Sequence, residues 1–217
     1  MRITIVGATR GIGKALSEQA RALGHHVVAV GRSIPEGAAR ARFTPINGSI
    51  LEEDVAQRAL EGADALAICL GSNAYGPDLG RREVTIFSRA TALLLAAMRG
   101  AGTMRVVAIT GVGTAESRGQ AGLLTRSLAM PLALGAIYAD KARQEELLRD
   151  SDRDFTILRP SLLTNGPYTG AWTAIDVDEP MPGQTISRAD CADACLRAIA
   201  EGAWSRRAMT ITGTACG

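Results

Sequence analysis

The chain has 217 residues, 24 Lys+Arg against 22 Asp+Glu, and 47% hydrophobic residues. These proportions suit one globular domain and exclude wholesale disorder. A net charge of +2 supplies no general attraction to nucleic acid, no apolar run reaches the ~18 residues of a membrane span, and two adjacent histidines, His25 and His26, argue against a histidine-rich metal site.

Short apolar runs alternate with longer helical stretches. Arg2–Val6 is a β-branched strand pattern ending at Gly7. From Gly11 to Leu23 the residues Ile12, Leu16, Ala20 and Leu23 recur on one helical face. Gly24-His25-His26 is a turn, His26–Val30 a second strand and Ala41–Ile46 a weaker third. Leu51–Leu60 opens with acidic residues, which the positive end of a helix prefers. Asp64–Leu70 reads as a buried strand ending at Gly71-Ser72, Glu83–Arg99 as a long helix, and Met104–Thr110 as a strand ending at Gly111. Ile137–Arg149 is helical, and Phe155–Leu158 is a strand running into Arg159-Pro160. Ser187–Ala200 is a helix with a capping box of Ser187 and Asp190, and Ala208–Ile211 is the last strand.

This rhythm predicts an α/β fold: a Rossmann-like, doubly wound parallel sheet with helices on both faces, in one domain over residues 1–217. Runs such as Ile-Thr-Ile-Val suit strands buried on both sides. Ligands of such a sheet bind beyond the carboxyl ends of the strands. That directs attention to the loops after Val6, Val30, Leu70, Thr110 and Leu158. The start, MRITIVG, runs straight into a strand, and the cysteines at 69, 191, 195 and 216 lack metal-ligand or C-x-x-C spacing. Both features predict reduced thiols and a cytoplasmic location.

The first strand leads into Gly7-Ala8-Thr9-Arg10-Gly11-Ile12-Gly13 and then a helix. A pyrophosphate needs glycines there for the turn, for close approach and for helix–strand packing. Its charge then rests on the unpaired N–H groups of the helix N-terminus. Gly7, Thr9, Arg10, Gly11, Ile12 and Gly13 are therefore candidate dinucleotide contacts. The second strand ends Val30-Gly31-Arg32-Ser33, without the acidic residue that usually holds the ribose 2′-hydroxyl of NAD. Arg10, Arg32 and Ser33 suit an extra 2′-phosphate instead, since arginine presents a planar fork of donors. This predicts NADP, with NADPH preferred over NADH; solvated surface charges are the alternative for the two arginines.

The spacing G-x-x-x-G-x-G resembles the short-chain dehydrogenase/reductase superfamily. Further landmarks are Leu70-Gly71, Val106-Val107-Ala108 with Thr110, Leu158-Arg159-Pro160, Thr169-Gly170-Ala171-Trp172 and Ile186-Ser187-Arg188-Ala189-Asp190. In that order they resemble the atypical NAD(P)H-binding branch that includes biliverdin-IXβ reductase/flavin reductase. The resemblance implies cofactor contacts from Leu70, Gly71 and Ser72 at the ribose, and from Thr110 and Gly111 at the nicotinamide. It implies others from Pro160, Leu162 and Leu163 at the carboxamide. Gly48-Ser49-Ile50 stands where the branch has Gly-Asp, so Ser49 and Ile50 fall near the adenine.

The superfamily's acid is a Tyr with a Lys four residues later; this chain has Tyr138 and Lys141, three apart and still on one helix face. Lys141 matches the branch's lysine, which also holds the ribose. Tyr138 is either the acid or a half-buried packing residue. Gly111 stands where the branch has a serine, and the adjacent Thr110 either supplies a hydroxyl or merely ends the strand. A site with so weak an acid favours acceptors that take hydride without a committed proton donor, such as flavins (FMN, FAD), bilins and quinones. Segments 111–134 and 165–181 are expected to cover this substrate, with Val112, Tyr168 and Trp172 among its contacts. Two other functions compete: a non-catalytic NADP(H) sensor that binds a partner protein, and a nucleotide-sugar epimerase or dehydratase. A small-molecule acceptor is the expected partner, with no nucleic acid and no membrane, and the chain is expected to be a monomer or small homo-oligomer.

Overall fold

The computed structural model describes residues 1–34, 41–71, 83–100, 104–120 and 135–214. In chain order the elements are β1 (Arg2–Val6), α1 (Gly11–Ala22), β2 (His26–Gly31), β3 (Phe43–Asn47), α2 (Glu53–Leu60), β4 (Ala65–Ile68), α3 (Ile86–Ala97), β5 (Arg105–Ile109), α4 (Gly135–Arg149), β6 (Phe155–Pro160), β7 (Leu162–Thr164), β8 (Trp172–Ile175), β9 (Thr185–Ser187), α5 (Arg188–Ala200) and β10 (Arg207–Gly213). Short 3₁₀ turns cover Met98–Gly100 and Ala115–Gln120.

The main sheet has eight strands among the described residues, in the order β3-β2-β1-β4-β5-β6-β10-β8. All neighbours run parallel except β8, which lies antiparallel on β10. Strand order reverses between β1 and β4, so the carboxyl ends of those strands open the crevice in which α/β sheets of this kind bind ligands.

Both faces of the sheet are covered, and the period-2 alternation of each strand divides its side chains between two cores. Ile3, Ile5, Val27, Ala29, Val107 and Ile109 meet α1 and α5 through Leu16, Ala20, Cys191 and Cys195. Val28, Val30, Leu66, Ile68, Val106 and Ala108 meet α2, α3 and α4 through Val55, Ala90, Leu94 and Leu148. The doubly wound sheet expected from the sequence is therefore the fold observed.

Three features differ from the sequence expectation. The long helix begins at Ile86, not Glu83, and its N-cap residue Thr85 makes no side-chain cap. The cap comes from α4 instead: the buried Asp140 carboxylate accepts from the Phe87 N–H at 2.8 Å and from the Ser88 N–H and hydroxyl. Residues 165–181 are not one loop, because Trp172–Ile175 pairs with β10 as an edge strand. The small β7–β9 pair, Leu162–Thr164 on Thr185–Ser187, has no counterpart among the elements expected from the sequence.

Candidate functional site

The loop after β1 is built by backbone contacts that admit only glycine. Gly7 has φ +87°, and a Cβ there would lie 2.5 Å from the Cys69 carbonyl oxygen at the end of β4. A Cβ on Gly13 would overlap the Gly7 carbonyl, so the first turn of α1 packs directly on the loop. The loop is anchored by the Gly7 and Ala8 N–H groups, which both donate to the Val30 carbonyl. The cap position of α1, Arg10, makes no side-chain cap, and no acidic residue lies in the first turn. The first-turn N–H groups and the positive end of the helix dipole are left for an outside anion.

The loops after β1 and β2 both supply positive charge. Arg10, Arg32 and Ser33 are exposed, and neither guanidinium has a hydrogen-bond or ion-pair partner among the described residues. A Cβ on Gly31 would meet the Thr9 methyl at 2.5 Å, so Thr9 closes over the end of β2. Ser49 accepts a hydrogen bond from the Leu51 N–H, turning the chain into α2 and leaving its own proton to give. The Ile50 side chain is buried in the second core, so any contact it offers to a ligand is through its backbone. Ile12 is likewise core, and it too offers its backbone. Gly71 is exposed, with nothing within 4 Å of where a Cβ would sit. Ser72 lies outside the described residues.

At the end of β5 the chain turns through Gly111, and the Val112 N–H donates to the Pro160 carbonyl. Here the Tyr/Lys pair converges. The Tyr138 hydroxyl lies 3.7 Å, and Lys141 Nζ 4.0 Å, from the point a Gly111 Cβ would occupy. The pair spaced three apart on α4 therefore reaches the same point beside Gly111. Lys141 donates to the Thr110 carbonyl and lies 5.3 Å from the Phe87 ring centroid. Burial lowers its pKa to about 8, against the opposing pull of Glu145 and Cys191.

Thr110 has a different duty from the one expected of it. Its hydroxyl, 3% exposed, donates to Glu145 Oε1 at 2.7 Å, so its proton is committed beneath the site. Glu145 in turn receives a two-pronged bond from Arg159, with Nε at 3.0 Å, and both side chains are 1% exposed. Glu116 and Arg149 extend this network to the surface. Burial alone would raise Glu116, but its backbone hydrogen bond and the two arginines bring it down to about 2. In the sequence Arg159 stands out only within Leu158-Arg159-Pro160, and nothing there connects it to Thr110.

The expected substrate residues separate. Val112 is half-buried beside Gly111, and Leu162 is exposed at the start of β7, while Leu163 packs on the first core. Tyr168 is exposed, with its hydroxyl over Gly170. Trp172 is not brought to Gly111: its indole N–H donates to Asp193 of α5 at 2.9 Å, and its ring meets Trp204 edge-on at 6.3 Å. It lines a hollow with Leu23, His25, Leu196 and Arg197 on the far side of α1 and α5. Replacing Trp172 with Ala is expected to cost about 1–3 kcal/mol of stability and to leave the KM for an acceptor unchanged. Denaturant unfolding and steady-state kinetics check this; a raised KM at unaltered stability would return Trp172 to the site. Segment 121–134 lies outside the described residues.

The sequence reading of the α5 cap is half fulfilled. The Ser187 hydroxyl accepts from the Asp190 N–H, but the Asp190 carboxylate does not turn back to the Ser187 N–H. It receives the Thr169 N–H at 2.8 Å, the Gly170 N–H at 2.9 Å and the Thr169 and Ser187 hydroxyls, holding loop 165–171 against α5. Burial would raise Asp190, but these bonds outweigh it and keep the carboxyl below its ordinary pKa. His25 and His26 sit at the amino end of β2, away from this edge.

Among solved structures, the chain is similar to the anaerobilin reductase ChuY of Escherichia coli O157:H7 at 22% identity and TM-score 0.81, covering 100% of this chain and 99% of that one. It is similar to a short-chain dehydrogenase/reductase of Veillonella parvula in complex with NADP at 20% identity and TM-score 0.78, covering 99% and 95%. The oxidoreductase ylbE of Lactococcus lactis matches at 19% identity and TM-score 0.78, covering 98% and 91%. These likenesses establish the shared fold. A family profile described as NAD(P)H-binding matches residues 7–202, from the first glycine of the loop to the turn after α5. The chain belongs to this NAD(P)H-binding family.

Proposed function

We propose that the protein is an NADPH-dependent oxidoreductase that passes hydride to a flat conjugated acceptor of flavin, bilin or quinone type. The observation that carries the reading is the convergence of the Tyr138 hydroxyl and Lys141 Nζ beside Gly111, on the same sheet edge as the glycine loop. The residues present fit the dinucleotide: a cradle that a Cβ on Gly7 or Gly13 would fill, free helix N–H groups, and Arg10 and Arg32 without partners among the described residues. The glycine loop would hold the pyrophosphate, Arg10 and Arg32 the 2′-phosphate, and Gly111 with Lys141 the nicotinamide end. A bound reduced nicotinamide supplies the hydride. Lys141 then orients the ribose, and Tyr138 offers a hydroxyl to the acceptor. With Thr110 committed to Glu145, Tyr138 is the candidate donor at this edge among the described residues. An acceptor that spreads charge over a conjugated system needs little from it. The likeness to an anaerobilin reductase supports an acceptor of this kind.

Steady-state NADPH oxidation with FMN, FAD, biliverdin, quinones and simple ketones tests the reading. Turnover with a conjugated acceptor and not with ketones is expected, with kcat/KM for NADPH well above that for NADH. NADPH binding without turnover by any acceptor would contradict it and favour a sensor. Replacing Arg10 and Arg32 together with Gln is expected to erase most of the cofactor preference, by weakening NADPH about 10–100-fold and NADH little. An unchanged preference would show that both arginines are only surface charges.

A further inference from the structure

We infer that Arg188, at the start of α5, is a direct ligand of the dinucleotide pyrophosphate, closing the glycine loop from the opposite end of the chain. The inference rests on the reading of the glycine loop as the cofactor site. Its basis is a contact between two segments far apart in sequence. Gly11, the first residue of α1, is exposed and has φ +58°. The groups nearest the point its Cβ would occupy are Cδ and Nε of Arg188, each at 3.8 Å. The arginine thus covers the loop glycine at which a pyrophosphate meets the helix N-terminus.

The guanidinium is held there and only partly used. Its Nη1 donates to Asn165 Oδ1 at 2.8 Å. Nε and Nη2 have no acceptor among the described residues, and Arg188 is half-buried, not sealed off. No carboxylate forms an ion pair with it among the described residues. Its carrier is fixed in turn: α5 lies along α1, and the Gln19 side-chain amide donates to the Ala189 carbonyl at 2.9 Å. Asn165 belongs to the loop that Asp190 anchors through the Thr169 and Gly170 N–H groups. A preorganised planar cation with two unused donors beside an anion-binding helix start fits a pyrophosphate oxygen pair. Arg10 and Arg32, by contrast, are the cations assigned above to the 2′-phosphate, one from the loop after β1 and one from the loop after β2. The two sets of cations therefore have separable effects.

Dinucleotide affinity measured calorimetrically, without acceptor, separates them. R188Q is expected to raise the Kd for NADPH and for NADH alike, by about 10–100-fold, with the NADPH/NADH ratio preserved. R188K, which keeps the charge and loses the fork, should fall between R188Q and the wild type. N165A, which frees the guanidinium without removing it, should weaken both dinucleotides by a smaller factor. The ligand-free thermal midpoint of each variant reports any structural damage, and R188K carries the test if R188Q does not fold. Unchanged Kd values in R188Q, or a change confined to the KM of the acceptor, would overturn the inference. So would a wild-type protein that binds neither dinucleotide. Loss of dinucleotide affinity in R188Q, together with no turnover of any acceptor by the wild type, would sustain the inference and overturn the reductase reading.

Discussion

Replacing Glu145 with Gln is expected to destabilise the protein by about 3–5 kcal/mol, because it leaves the buried Arg159 charge without its main partner. The pair is 1% exposed on both sides, and Glu145 also accepts the Thr110 hydroxyl. Glu116, at 2.9 Å from Arg159 and 44% exposed, cannot replace a buried two-pronged carboxylate. Denaturant unfolding reads the loss as a lower midpoint at constant slope. Replacing both Glu145 and Arg159 with apolar residues of similar volume should recover most of it, since two uncharged groups need no pairing. A loss below about 1 kcal/mol in the single variant would mean that water reaches Arg159. The acid limb of stability follows from Glu116. Its folded pKa of about 2 lies below its ordinary value of 4.5. Its contribution is therefore complete above pH 4.5 and is lost as pH falls through about 2. Glu116 is partly exposed, so added salt should weaken this contribution.

The second large effect is expected at Lys141. K141M should lower kcat/KM for NADPH about 10–100-fold, the range for losing a hydrogen bond to a charged group. The pH dependence distinguishes this from simple damage. With a pKa of about 8, wild-type Lys141 loses its charge as pH rises through 8, and activity should fall along that limb. K141M should lack the limb, and K141R should push it above the measurable range. Stability moves the opposite way. The unfolded chain keeps the lysine proton up to about 10.5 while the folded chain releases it near 8, so stability gained through this group rises between those values. An alkaline limb that survives in K141M would assign it to another group.

Much of the fold follows from local pattern. The β-branched runs at Arg2–Val6 and His26–Val30, and the acidic start of α2, are signals contained within a few residues, and each element forms close to where it is expected. The glycine loop is legible in part for the same reason, since a Cβ on Gly13 would strike the backbone of Gly7 and Ala8, whereas Gly7 is constrained by the distant Cys69 carbonyl. What escapes the sequence is non-local. The start of α3 is capped by Asp140, which lies on another helix, so nothing near Thr85 announces it. β7 and β9 are three residues each and exist through their pairing with one another. Trp172 follows a plausible loop motif, but the edge position of β8 turns its indole toward Asp193. Thr110 stands at the expected strand end, yet the direction of its hydroxyl is set by Glu145 on α4. Arg188 stands in the sequence only as part of the Ile186–Asp190 landmark, and the packing of α5 along α1 is what brings it over Gly11.

A crystal structure of the protein with NADP bound decides whether the glycine loop and Gly111 form one cofactor site. The pyrophosphate is expected against Gly11 and Arg188, the 2′-phosphate between Arg10 and Arg32, and the nicotinamide at Gly111 with the ribose at Lys141 and the Tyr138 hydroxyl facing the ring. A nicotinamide lying away from Gly111, or a 2′-phosphate with neither arginine in contact, would contradict it.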